Sequence, residues 1–80
     1  MKEIHLKYYG QLAEIRGVEK ETLRTERSSL HELLNDLYDQ WPQLQLELFA
    51  VFINNKKNTD LAYKLISQDK ISLLPPFAGG

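Results

Sequence analysis

An α+β fold, with a mixed sheet packed on one main helix, is predicted for this chain of 80 residues by three observations. Apolar residues alternate near both ends, in 2–9 and 70–74, as they do in half-buried strands. Between them one long apolar stripe repeats at helical spacing over 29–41. Strand-like and helix-like segments are mixed without strict alternation, which argues against a doubly wound parallel sheet. The length fits one domain.

The elements follow in order. Ile4, Leu6 and Tyr8 share one parity and predict the buried face of a first strand over 2–9, which Gly10 breaks. Leu12 and Ile15, spaced i, i+3 and followed by Gly17, predict a short helix over 11–16. A second strand is expected over 18–25, with Leu23 inward. Ser29 and Glu32 have the spacing of a capping box, in which the serine hydroxyl and the glutamate carboxylate each satisfy the other's backbone amide. Leu30, Leu33, Leu34, Leu37 and Trp41 then form the stripe of the main helix, which Pro42 ends by forcing Trp41 out of helical conformation. The continuous apolar run Phe49 to Ile53 predicts a central strand over about 48–54, buried on both faces and preceded by a connecting segment. Asn54 to Asn58 reads as a turn, 59–66 as either a short strand or a helical turn, and Gln68-Asp69 as another turn. Ile71 and Leu73 face inward on the last strand, Ser72 and Leu74 outward, and Pro75 and Pro76 stop it.

Composition removes several function classes. Lys and Arg number 10 against 11 Asp and Glu, so the basic excess of a nucleic-acid groove is absent. No apolar run approaches the roughly 20 residues of a membrane span, and no signal-peptide core follows Met1. Neither nucleic acid nor membrane is expected as a partner, and the cytoplasm is the expected compartment. With 0 Cys there is no disulfide, no thiolate metal site and no thiol nucleophile, so the apolar core alone must hold a small domain together. His5 and His31 read as surface or boundary residues, Asp36 and Asp39 as a solvated pair, and Lys56 and Lys57 as part of a turn. No metal site and no nucleophile–base pair is recognisable.

Chemistry is left with the C-terminus. A body of residues 1–74 is expected to carry a flexible arm over 75–80. Pro75 and Pro76 stiffen the base of that arm, and fully extended it reaches at most roughly 20 Å. Gly79 and Gly80 have no side chains, so such an end can enter a slot too narrow for any Cβ. A terminal carboxylate could be delivered in this way into another protein's active site.

The run Leu73-Leu74-Pro75-Pro76-Phe77-Ala78-Gly79-Gly80 resembles the tail of the small, sulfur-carrying subunit of molybdopterin synthase. Tyr8 to Gly17 is similar to that family's first strand, aromatic pair and short helix, and Val51-Phe52-Ile53-Asn54 to its central strand. Gln68, before Asp69, stands where the family has a turn glycine. The resemblance implies a ubiquitin-like β-grasp fold and a carrier in place of a stand-alone enzyme. It implies that an E1-like enzyme uses ATP to adenylate Gly80, that sulfur transfer then makes a C-terminal thiocarboxylate, and that no cofactor is bound permanently. It implies a large catalytic subunit as partner, in a heterotetramer, to which the sulfur of the molybdopterin dithiolene is delivered. In such a sheet the first and last strands lie side by side, so Tyr9 and Leu74 would share an outward docking patch that Phe77 extends. A carrier for thiazole or another cofactor, and a protein modifier joined to lysines through Gly80, are the alternatives.

Overall fold

Strand β1 (Lys2–Tyr8) is an interior strand of the sheet and buries Ile4, Leu6 and Tyr8, the parity expected from its alternation. The computed structural model describes residues 1–76, so Phe77, Ala78, Gly79 and Gly80 lie outside the described residues. Helix α1 (Gln11–Arg16) buries Leu12 and ends at Gly17, whose φ of 85° is the left-handed conformation that glycine adopts without steric cost. Strand β2 (Lys20–Thr25) returns antiparallel to β1, with Ile4 opposite Leu23.

Helix α2 (Leu30–Gln40) begins with the expected capping box: Ser29 accepts from the Glu32 amide and the Glu32 carboxylate accepts from the Ser29 amide. The Ser28 hydroxyl and amide also donate to Glu32, and these bonds, with that of Ser29, hold its carboxyl below the usual range. Leu30, Leu33, Leu34 and Leu37 are buried against the sheet. Ser29→Ala should cost about 1 kcal/mol, read as a lower urea midpoint with an unchanged m-value.

Trp41 leaves the helical region, as Pro42 requires, but the chain continues as a 3-10 turn over Pro42–Leu46 that buries Leu44. This turn takes the place of the featureless connection expected from the sequence. Strand β3 (Ala50–Ile53) is shorter than expected and is neither central nor buried on both faces: Val51 and Ile53 point into the core, while Ala50 and Phe52 are half-buried on the other side. The strand order β2-β1-β5-β3-β4 puts β5 in the centre. Asn54 and Asn55 alone make the turn, both at positive φ (51° and 71°), the pattern of a tight hairpin loop. Lys56, Lys57 and Asn58, expected as turn, form the edge strand β4 (Lys56–Asn58) paired to β3. Residues 59–66 form no element; their Leu65 is buried, and Lys64 makes an isolated bridge to Ser29.

Strand β5 (Lys70–Leu74) lies parallel to β1 and antiparallel to β3, with Ile71 and Leu73 buried. One core of leucines, isoleucines, Val51 and Tyr8 fills the space between the sheet and α2. No helix among the described residues is long and apolar enough to cross a membrane.

Candidate functional site

The C-terminal segment leaves the body after β5, so the site begins with how Pro75 is held. Pro75 is buried and Pro76 exposed. Gly10, between β1 and α1, lies against Pro75 with φ 56° and ψ −132°, a conformation that strains any residue with a Cβ. A Cβ at Gly10 would stand 3.3 Å from Cγ of Pro75. The adjacent Tyr9 amide donates to the Leu73 carbonyl at 3.2 Å, which ties the two strand ends together. Gly10→Ala should therefore lower stability by about 1–3 kcal/mol, measured by urea unfolding.

The outward face of the sheet adjoins this exit. Alternation places Leu74 there, beside Ala50 in register. Leu74 lines a groove of about 490 Å³ with Leu48, Phe49, Ala50, Phe52 and Pro76, and Lys57 stands at its border. Leu48 is 78% exposed and gives the groove an apolar rim. Tyr9 lies on the same face but borders a neighbouring trough with Lys7 and Ser72, and Lys7 Nζ sits 5.1 Å from its ring centroid. Tyr9 and Leu74 thus occupy adjoining depressions of one surface. Phe77, the third member of the expected patch, lies outside the described residues, as do Ala78, Gly79 and Gly80.

Phe52 and Ala50 were hidden in the sequence because a continuous apolar run reads as buried on both faces. Their outward orientation follows once β3 is registered against β5, with Phe52 opposite Ser72.

Polar side chains elsewhere lock the body. Asp69 is 4% exposed, and its carboxylate accepts from the Asn54 amide (2.9 Å), the Tyr63 hydroxyl (2.9 Å) and the Ile66 backbone amide (2.8 Å). Asn54 Oδ1 in turn accepts from the Lys70 amide, so the hairpin turn and the start of β5 are clamped together. Burial raises the Tyr63 hydroxyl above its ordinary pKa, and its bond to Asp69 adds to this. Tyr8 is raised further, first by burial and then by donating at 2.6 Å to Glu21. Arg16 also binds Glu21 and stacks 3.7 Å from the Trp41 ring centroid.

His5 is fully engaged. Its Nε2 donates to Gln68 Oε1 at 2.8 Å and its Nδ1 lies 3.0 Å from the Thr22 hydroxyl. The Gln68 amide nitrogen donates to Glu3, and this bond, ahead of the Arg24 contact, lowers the Glu3 carboxyl. Gln68 holds a φ of 77°, so it takes the left-handed conformation of a turn glycine. Among the described residues no group of three or more His, Asp or Glu side chains could hold a metal ion.

A family model described as the ThiS family matches residues 6–80. No curated protein sequence matches the chain. Subunit 1 in a protein–protein complex of subunits 1 and 2 of molybdopterin-converting factor from Helicobacter pylori is similar in structure. Its TM-score is 0.74 at 25% identity, covering 98% of this chain and 99% of that one. Small archaeal modifier protein 1 from Methanosarcina acetivorans gives a TM-score of 0.80 at 25% identity, over 100% of this chain and 98% of that one. Small archaeal modifier protein 1 of Haloferax volcanii gives 0.81 at 18% identity, over 96% and 100%, and bears on the fold alone.

Proposed function

Since the chain belongs to the ThiS family and has its ubiquitin-like β-grasp fold, we propose that it is a sulfur carrier whose Gly80 carboxylate is the reactive group. The supporting observation is that the family match runs through the whole tail to residue 80.

A carboxylate is a poor electrophile. In the proposed route a Gly80 oxygen attacks the α-phosphorus of ATP on an E1-like enzyme and expels pyrophosphate. Hydrosulfide then attacks the acyl carbon of the adenylate, expels AMP and loses its proton, leaving a thiocarboxylate. ATP belongs to the activating enzyme, and the carrier keeps no cofactor. A chain with 0 Cys cannot hold sulfur as its own persulfide, so the acyl end is the place for it.

The acceptor proposed is the large subunit of a molybdopterin synthase, two carriers serving a heterotetramer that makes the dithiolene. The similarity to subunit 1 in the Helicobacter pylori complex supports that choice. Tyr9, Leu74 and Phe77, with Phe52 and Leu48 beside them, would form the docking face. Pro75 and Pro76 would aim the arm and Gly79 would let it approach closely, with Ala78 as its short link. Cytoplasmic location accords with this reading.

The test is incubation with ATP, a sulfur source and the activating enzyme, followed by intact mass measurement. The chain should gain the mass difference between sulfur and oxygen at its C-terminus; an unchanged mass would sink the reading. The similarity to small archaeal modifier protein 1 supports a second use of the same adenylate, in isopeptide bonds to lysines. Tryptic remnants of residues Ile71 to Gly80 on cellular lysines would reveal it.

A further inference from the structure

Beside the apolar groove, the outward sheet face carries a trough of about 380 Å³ bounded by Lys7, Lys20 and Lys70, with His5, Asn55 and Ser72 between them. Strand register explains the cluster. Lys7 stands opposite Lys20 on β2 and opposite Ser72 on β5, while His5 stands opposite Lys70. Lys7 and Lys20 thus face each other across one strand spacing of about 4.8 Å, and Lys70 lies one strand further over and two residues along. Like charges across a strand pair destabilise a sheet.

Among the described residues the ion pairs are Arg16–Glu21, Arg24–Glu3 and Arg27–Asp36, and none uses a lysine. Glu3 is the acidic residue that strand parity places on this face, and Arg24 and Gln68 hold it at the far end of β1. Lys57, at the border of the groove, adds a fourth unpaired cation to the face. On the opposite side of the molecule α2 carries Glu32, Asp36 and Asp39 and neither lysine nor arginine. A net charge of −1 thus conceals a chain with a basic sheet face and an acidic helix face.

We propose that the lysine trough receives glutamate or aspartate side chains that rim the docking surface of a partner protein, while that partner's apolar centre fills the adjoining groove. Protein carboxylates suit it better than phosphate. The cations are separate lysine point charges on strands, with no arginine fork, glycine nest or helix N-terminus among the residues lining the trough. The continuous apolar groove next to it fits a folded partner. Complementary charge of this kind steers encounter and fixes register more than it adds affinity. The inference gives the proposed docking face the chemistry of its partner, and it stands whether or not Gly80 accepts sulfur.

The experiment titrates the ¹⁵N-labelled full chain with hexaglutamate peptide at low salt. Amide shifts are expected at Lys7, Lys20, Lys70, Ser72 and Asn55, to vanish at about 0.5 M NaCl as the charges are screened. The combined Lys7→Gln, Lys20→Gln, Lys70→Gln variant should bind about tenfold more weakly. These side chains line an open trough, so its spectrum should stay dispersed; should it not, Lys20→Gln and Lys70→Gln singly give the same comparison. Hexalysine should instead shift α2. The proposal is overturned if hexaglutamate produces no shifts, if the shifts fall on α2, or if the lysine variants bind it as well as the parent. An oligothymidylate of equal charge that binds the trough more tightly would assign it to phosphate and overturn the proposal equally.

Discussion

Deletion of Gly80 should abolish sulfur loading while leaving the urea midpoint unchanged. The truncated chain still ends in a glycine carboxylate, that of Gly79, so the same functional group remains. Its position changes: one residue of extended chain is about 3.5 Å. A misplacement of about 1 Å at a reacting centre can cost 100-fold in rate, so withdrawal of the carboxylate by a whole residue should remove detectable transfer. Ala78 would also move into the place of Gly79 and bring a methyl group into the slot. The core residues all lie between Ile4 and Leu73, so stability has no reason to follow. Intact mass after reaction with ATP, sulfur source and activating enzyme, set beside urea unfolding of the same sample, separates the two effects. A truncated chain that still gained sulfur at the parent rate would show that reach and the terminal glycine do not matter.

Asp69→Ala should be among the most destabilising single changes in the body, by about 3 kcal/mol or more. Removal of the carboxylate leaves the Asn54 amide, the Tyr63 hydroxyl and the Ile66 amide without their acceptor. Each buried donor left unpaired costs about 1–3 kcal/mol, less where water can enter. A domain this small has a margin of about 5 kcal/mol, so much of the population should unfold near room temperature. Asp69→Asn keeps an acceptor oxygen but turns one end of the group into a donor, so an intermediate loss is expected. Urea unfolding of the three proteins checks the order.

These two residues mark what was legible in the sequence and what was not. The family was legible because the tail carries a compositional message: prolines, then glycines, in one run. Strands β1 and β5 and helices α1 and α2 were legible because each writes its burial in its own period, and Gly17 and the Ser29–Glu32 box mark ends by local bonding. Strand β3 misled because Phe52 is apolar for the sake of an exposed groove, and a surface phenylalanine reads as core. Strand β4 was missed because Lys56, Lys57 and Asn58 bury no apolar side chain; pairing to β3 alone makes them a strand. The Asp69 clamp joins residues 15 apart in sequence, Asn54 to Asp69, and no local pattern announces it. The lysine trough is likewise a product of register, since Lys7, Lys20 and Lys70 are scattered along the chain and meet only across three strands.

The position of β5 at the centre of the sheet has a consequence for folding. Strands β1 and β2 can pair early, and so can β3 and β4, but the two hairpins share no edge until Lys70–Leu74 slots between them. The sheet therefore cannot close until Lys70–Leu74 is available to pair with both hairpins. A chain that stops before Lys70 leaves β1 and β3 without their shared neighbour, so it should not fold and proteases can remove it. Closure of the sheet and the seating of Pro75 beside Gly10 belong to one short stretch of chain, so neither is reached without the other.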